Sequence, residues 1–99
     1  MAAKLNRTLS EQTPSMVGEK VRLCGWVEGI RDHGKITFVD LRDRAGVIQC
    51  VGSNLPKMST ESVVEITGKV DKRPKKLVNP NLATGKVELQ IEKLEIISQ

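Results

Sequence analysis

The sequence predicts an all-β protein, a single small barrel of five strands. Apolar and polar residues alternate within short segments that Gly, Asp, Asn and Pro separate, which is typical of antiparallel strands joined by turns. Helical periodicity is almost absent. The 99 residues, 38% of them hydrophobic, provide for one domain and one core. We therefore divide the chain into an N-terminal extension, residues 1–19, and a barrel domain, residues 20–99.

The first three strands form a predicted meander and occupy residues 20–27, 35–43 and 47–51. The turn at residues 32–34 reads Asp-His-Gly, in which the glycine can adopt a positive φ, and a second turn follows at residues 44–46. Alternation predicts these inward-facing residues: Val21, Leu23, Gly25, Val27, Thr37, Val39, Leu41, Ile48 and Cys50.

Two irregular segments separate the remaining strands. The connector of residues 52–62 is polar, contains Pro56 and has room for at most a turn or two of helix. Alternation resumes at residues 63–73, which gives a long fourth strand, and a loop follows at residues 74–85. The fifth strand covers residues 87–97 and is predicted to contain a bulge.

This order of strands is typical of the OB-fold, a partly open Greek-key barrel that binds oligonucleotides across its second and third strands. An SH3-like barrel is the main alternative. The long first strand with Gly25 inside it favours the OB-fold, because a glycine lets one strand bend between two sheets. We therefore predict a five-stranded Greek-key OB-fold barrel with at most a short helix between strands three and four.

Composition limits the classes of function. The formal net charge of +4 favours a polyanionic partner, although many basic domains of this size have no such partner. No segment is apolar enough to span a membrane or to act as a secretion signal, so we expect a cytoplasmic protein without a membrane partner. Cys24 and Cys50 lie far apart in sequence and are predicted to be free thiols.

Motifs for catalysis are missing from the sequence. It contains no P-loop, no Gly-x-Ser-x-Gly and no His-Glu-x-x-His. The one histidine, His33, lies in a predicted turn and cannot by itself supply a metal cage or a buried triad. We expect no catalytic residue, no metal site and no cofactor.

Two side chains on predicted outer faces are candidates for binding a base. Alternation places Phe38 on the polar face of the second strand, where it either stacks on a base or covers an end of the barrel. Gln49 lies on the outer face of the third strand, and its amide can both donate and accept hydrogen bonds. Trp26, the other aromatic residue, is predicted to cover the outside of the barrel.

Charged residues near the ends of the last two strands are further candidates. Lys72, Arg73, Lys75 and Lys76 place four cations within five residues, and such a cluster either contacts a phosphate backbone or is simply solvated. Glu88, on the polar face of the fifth strand, can accept hydrogen bonds from a base or face water.

Four segments carry a resemblance to a known family: VRLCGWV at residues 21–27, RDHG at 31–34, FVDLRDRAG at 38–46 and VNPNLATGKVE at 78–88. Together they resemble the N-terminal anticodon-binding domain of bacterial-type aspartyl-tRNA synthetases. The first and third segments are shared across the class IIb synthetases, including the asparaginyl and lysyl enzymes. The last segment is typical of the bacterial-type aspartyl enzyme.

The resemblance implies roles for individual residues. In that family an aromatic residue on strand two stacks on the middle anticodon uridine and a glutamine on strand three reads it. Phe38 and Gln49 occupy those positions. The resemblance also implies that Arg31 lies near the third base or its phosphate, and that Glu88 reads the first base, guanine or its queuosine derivative.

The resemblance further implies contacts from Arg73 and Asn79, at the end of strand four and in the following loop. His33 resembles the residue found in relaxed enzymes that charge both aspartate and asparagine tRNAs. Two features depart from the family: the connector after strand three is shorter, and Leu77 stands where a polar residue is usual.

The expected partner is thus the anticodon stem-loop of aspartate tRNA. Asparagine tRNA is a second partner if His33 has the role of its counterpart in the relaxed enzymes. The class II catalytic domain does not follow Gln99 in this sequence, so we expect binding without aminoacylation, by a monomer. An excised domain, a natural stand-alone protein and an engineered scaffold all fit. A generic single-strand binder and a protein-interaction module remain alternatives.

Overall fold

The computed structural model describes residues 7–98, which form a closed five-stranded barrel. The strands are β1 (Lys20–His33), β2 (Ile36–Asp43), β3 (Gly46–Gly52), β4 (Val63–Lys72) and β5 (Val87–Ser98). Around the barrel they follow the order β1-β2-β3-β5-β4, and only the β3–β5 pairing is parallel. The predicted OB-fold is confirmed.

One hydrophobic core fills the barrel. Its fully or almost fully buried members are Val21, Leu23, Val27, Val39, Leu41, Ile48, Cys50, Val64, Ile66, Val70, Val87 and Leu89. These residues alternate with outward-facing neighbours, as the period of two predicts. Thr37, expected to face inward, is only half-buried because it lies near the turn of the β1–β2 hairpin, beyond the core.

The β1–β2 hairpin is longer than the sequence predicted. The ladder extends to the pair His33 and Ile36, so the turn is narrower than the predicted Asp-His-Gly segment. Gly34 has a φ of 72° there, the left-handed conformation that glycine adopts most readily. The register shifts between Val27 and Gly29, and this bulge interrupts the alternation that would otherwise indicate a continuing strand.

Gly25 permits a close approach between β1 and β2. A Cβ atom at this position would lie 2.2 Å from the carbonyl oxygen of Arg42 on β2. Any side chain would therefore push β1 and β2 apart where β1 passes from β4 to β2.

The predicted bulge in β5 is also present, because Thr67 pairs with Lys93 while the adjacent Gly68 pairs with Ile91.

The segments between the strands contain little helix. Residues 53–62 form bends and a turn, and they contain no helix, although the prediction allowed a short one there. Two short 3₁₀ helices occur instead at Ser10–Ser15 and Lys75–Leu77. No helix within the described residues is long and apolar enough to cross a membrane.

The two cysteines differ in their surroundings. Cys24 and Cys50 are both free thiols, as the sequence predicted. Cys50 is fully buried in the core, and burial raises the pKa of its thiol well above the ordinary value.

The described N-terminal residues, from Arg7 onward, pack against the barrel. The Thr8 amide donates to the Arg22 carbonyl at 2.8 Å, and the first 3₁₀ helix is fixed by the buried carboxylate of Asp43. This carboxylate accepts the Ser10 amide and hydroxyl, both at 2.7 Å, and also the amides of Ala45 and Gly46. The division at residue 19 stays a prediction, but residues before it belong to the packed structure.

Asp43→Asn is expected to lower the free energy of unfolding at pH 7 by roughly 1.5–3 kcal/mol, because hydrogen bonds to a charged acceptor are lost or weakened. Burial alone would raise the pKa of Asp43, but the four donors outweigh it and lower that pKa. The stabilisation is therefore present above the unfolded-state pKa near 3.8 and is lost as pH falls through the lower folded-state value. Urea unfolding at pH 7 and pH 3 measures both effects.

Asp71→Asn is the matched control, since Asp71 is exposed and, among residues 7–98, its carboxylate accepts a hydrogen bond only from its neighbour's amide, at 2.8 Å. An equal loss of stability in the two variants, or a loss in Asp43→Asn that does not change between pH 7 and pH 3, would contradict the assigned role of Asp43.

Candidate nucleic-acid interface

The side chain of Phe38 lies on the outer face of β2, half-buried between the neighbouring strands. The Cζ atom of Arg31 is 5.8 Å from the centroid of the phenyl ring, within the range of a cation–π interaction. The His33 ring meets it edge-on, with 5.4 Å between centroids and 90° between planes. These two contacts from β1 orient the ring.

Phe38 opens onto a cavity of about 410 Å³. The cavity is lined by Arg31, His33, Ile36, Phe38, Gln49 and Leu77. Ile36 and Leu77 are 46% and 47% exposed, although both are large and apolar. An open cavity with an aromatic wall and apolar edges suits a flat ring better than a solvated ion.

Arg31 is held in place by two partners on the outer face. Its guanidinium donates to both carboxylate oxygens of Asp40, at 2.6 and 3.2 Å, and to Oε1 of Gln49 at 3.0 Å. The hydrogen bond to Asp40 raises the pKa of Arg31, against the lowering effect of burial. Asp40 and Gln49 are direct neighbours across β2 and β3, so both partners of Arg31 come from one register position.

Gln49 and Glu88 are buried although they lie outside the core. They are 8% and 7% exposed, respectively. The Gln49 Nε2 atom donates to Oε1 of Glu88 at 3.3 Å, and Gln90 donates to Oε2 of Glu88 at 2.7 Å. The Glu88 carboxylate thus receives hydrogen bonds from two amide groups, which satisfies its buried oxygen atoms.

These contacts determine the orientation of the Gln49 amide. Arg31 can only donate, so it takes the amide oxygen, and the carboxylate of Glu88 can only accept, so it takes the amide nitrogen. One N–H and one oxygen lone pair of the amide remain for a ligand. A flipped amide would lose both contacts.

The four residues of the predicted cationic cluster differ in their exposure to solvent. Lys72, Lys75 and Lys76 are exposed, whereas Arg73 is only 8% exposed. Arg73 therefore differs from the three lysines of the cluster, because its side chain turns inward beneath the loop. Its Nε donates to the Val87 carbonyl at 2.9 Å and its Nη1 to the Leu77 carbonyl at 3.2 Å.

The charged residues of the site also affect the pKa of Arg73. Burial lowers the pKa of its guanidinium, the charges of Glu88 and Asp40 raise it, and Arg31 lowers it. The buried Nη2 atom has no hydrogen-bond partner among residues 7–98. Arg73 thus connects the loop to the start of β5 beside Glu88.

Asn79 shapes the loop between β4 and β5. Its side-chain oxygen accepts the Asn81 amide at 3.0 Å, and its own amide donates to the Gly85 carbonyl at 2.9 Å. A Cβ at Gly85 would lie 1.6 Å from the Asn79 carbonyl oxygen, so only glycine fits there. The buried hydroxyl of Thr84 donates to the Val47 carbonyl and ties the loop to β3.

The structure brings together five predicted site residues, namely Arg31, His33, Phe38, Gln49 and Glu88. Sequence reasoning missed Asp40, Gln90 and Ile36 as members of this site. Alternation places Asp40 and Gln90 on outer faces, but their roles depend on neighbours in other strands. Within the described part of the chain, no three His, Cys, Asp or Glu side chains are grouped to hold a metal ion.

The closed barrel and the aromatic cavity on its outer face define an OB-fold module. Residues 21–97 match the tRNA anti-codon family, described as the OB-fold nucleic acid binding domain, and the chain belongs to this family.

The curated relatives carry the name aspartate–tRNA(Asp/Asn) ligase. The protein of Chelativorans sp. (strain BNC1) is 44% identical over 101 residues, which cover 95% of this chain and 17% of that protein. The protein of Zymomonas mobilis is 46% identical over 89 residues, which cover 83% of this chain and 15% of that protein. The chain thus spans only about a sixth of these relatives.

Solved structures share the fold. The aspartyl tRNA synthetase from Entamoeba histolytica superposes with a TM-score of 0.84 over 95% of this chain and 22% of that chain. At 24% sequence identity this likeness concerns the fold.

Arg73→Met is expected to release the β4–β5 loop, because both carbonyl contacts of the guanidinium disappear while the apolar stem of the side chain is approximately kept. Amide hydrogen exchange in residues 74–86 should become at least about tenfold faster, which corresponds to about 1.4 kcal/mol of lost protection. Hydrogen exchange read by NMR measures this change.

Arg73→Lys should restore at most one carbonyl contact and give intermediate exchange. Lys76→Met is the matched control, because Lys76 is exposed in the same loop. Unchanged exchange in Arg73→Met would show that the guanidinium does not hold the loop.

Proposed function

We propose that this chain binds the anticodon loop of a tRNA as the anticodon-recognition domain of an aspartyl-tRNA synthetase. The observation that carries the proposal is the half-buried Phe38 ring, which lines an open cavity beside a Gln49 amide whose orientation is fixed. Such a pair offers one surface for stacking and one defined hydrogen-bond pattern. Single-stranded RNA presents both features, because its unstacked bases expose their faces and edges.

Phe38 supplies the stacking surface. A base inserted into the 410 Å³ cavity would meet the phenyl ring and the apolar side chains of Ile36 and Leu77. Stacking on an aromatic side chain contributes roughly 1–3 kcal/mol per base. In the proposed complex this base is the middle one of the anticodon.

Gln49 supplies the choice of base. Uracil offers a ring N–H donor beside a carbonyl acceptor, and cytosine offers a ring acceptor beside an amino donor. A freely rotating amide can match either pattern by flipping. Here Arg31 and Glu88 oppose the flip, so a base that suits the amide in its present orientation is favoured over one with the reverse pattern.

Glu88 is proposed to read the first base, guanine. Its carboxylate oxygens each accept one internal hydrogen bond, which leaves capacity for the ring and exocyclic N–H groups of guanine. Arg31, 45% exposed in its side chain, is proposed to contact the third base or its phosphate. We assign Asn79 and His33 to the edge of the same surface.

The exposed lysines provide contacts without sequence preference. Lys72, Lys75 and Lys76 border the site on the β4–β5 side and can neutralise phosphates. Arg73 acts in this proposal by holding Leu77 at the cavity rather than by contacting phosphate.

The tRNA partner and setting follow from the same proposal. The relatives' names include both aspartate and asparagine tRNAs, which supports the same pair of partners here. We assign no catalytic step to this chain. Aminoacylation would belong to the much longer remainder of such a ligase, acting in the cytoplasm, and the 99-residue chain would be a monomer.

Phe38→Ala is expected to weaken binding of an aspartate-tRNA anticodon stem-loop by roughly 5- to 150-fold, since stacking is removed. Fluorescence anisotropy with the 99-residue chain measures the affinity, and circular dichroism checks the fold. Trp26→Ala is the control, because it truncates the other aromatic residue, which is 37% exposed and outside the cavity. Equal losses in the two variants would reject Phe38 as the stacking surface.

Replacing the central uridine of the stem-loop with cytidine is expected to cost roughly 1–3 kcal/mol, about 5- to 150-fold in affinity. The discrimination should vanish in Gln49→Met, which keeps the length of the side chain and removes the amide. A wild-type protein that binds both RNAs equally would indicate a generic single-strand binder instead.

A further inference from the structure

A second cavity of about 380 Å³ is lined by residues of β4, the β4–β5 loop, the start of β5 and the N-terminal segment. Leu77 lines the first cavity and the next residue, Val78, lines the second. Arg73 also lines the second cavity, and it donates to the Leu77 carbonyl at 3.2 Å. The two cavities thus share one short stretch of the β4–β5 loop.

The second cavity combines apolar walls with cations. Pro14, Val17 and Val78 supply apolar surface, and the two valines are 40% and 37% exposed. Lys72 and Lys86, both exposed, supply ammonium groups. A nucleotide has the matching parts, a flat base with two apolar faces and a phosphate with negative charge.

The second cavity borders the β4–β5 ladder beside Glu88. Asp71 of β4 pairs with Glu88 of β5, and the next ladder pair, Lys72 with Val87, lines the second cavity. The buried Arg73 guanidinium joins the two places, since its Nε donates to the Val87 carbonyl. In the barrel β4 lies next to β5, so an RNA strand that crosses β1, β2, β3 and β5 in turn reaches β4 next.

We propose that this second cavity binds the nucleotide on the 5′ side of the three anticodon bases. The base packs against Pro14, Val17 and Val78, and the adjoining phosphate contacts Lys72 and Lys86. This inference rests on the proposed function, in which the third base lies at Arg31 on β1 and the first at Glu88 on β5. The 5′ neighbour of the first base then lies towards β4.

Two linear RNAs of equal length and charge test the proposal. Both contain GUC, and one carries two additional uridines on the 5′ side and the other on the 3′ side. The 5′-extended RNA is expected to bind about fivefold or more tightly, because only its added nucleotide reaches the apolar walls. Replacing the uridine next to guanine with an abasic residue should remove most of this advantage.

Single substitutions locate the site. Lys72→Gln and Lys86→Gln should each weaken the 5′-extended RNA more than the 3′-extended RNA. Each should also reduce the slope of log K against log[salt] by about 0.7 for the 5′-extended RNA and by less for the 3′-extended RNA. Lys93→Gln is the control, since it removes one exposed lysine from β5 outside both cavities.

Separate results overturn the two proposals. The second-cavity proposal fails if GUC is still preferred over GCC but the two extended RNAs bind equally, or if the 3′-extended RNA binds more tightly. It also fails if all three lysine variants behave alike. Loss of the preference for GUC in the wild-type chain would instead reject the proposed function.

Discussion

Cys50 and Val51 of β3 pair in parallel with Leu89 and Gln90 of β5, and this contact closes the barrel. It places Ile48, Cys50 and Leu89 in the core. Because side chains alternate along each strand, the same pairing brings Gln49 beside Glu88 on the outer face. The core and the candidate site therefore depend on one register, and a shift by one residue would exchange their side chains.

Burial of polar groups at this position carries a physical cost that mutual hydrogen bonding offsets. Gln49, Glu88 and Gln90 form a chain that continues through Arg31 to Asp40. A partly satisfied network would destabilise the barrel, whereas a connected one limits each side chain to one orientation. The network thus orders the site before any ligand arrives.

Period-two alternation was enough to predict the strands, the core and the outward positions of Phe38 and Gln49. It ended β1 too early, because the bulge at Glu28 breaks the alternation. It could not predict the burial of Glu88 or Arg73, since both depend on contacts between distant segments, such as Gln49 with Glu88 and Arg73 with Leu77. The roles in base reading came from the family resemblance and not from periodicity.

In an ordered site, the contacts that supply affinity can differ from those that supply specificity. The side chains of Gln49 and Arg31 are already fixed, so binding a base would cost little of their conformational entropy. The remaining N–H and lone pair of Gln49 exchange bonds with water for bonds with a base, which adds little net affinity to a correct base. An incorrect base leaves these groups unpaired and incurs the full desolvation cost. In the proposed complex the free energy of binding would then come mainly from stacking on Phe38 and from phosphate contacts, while the fixed amide would reject incorrect bases.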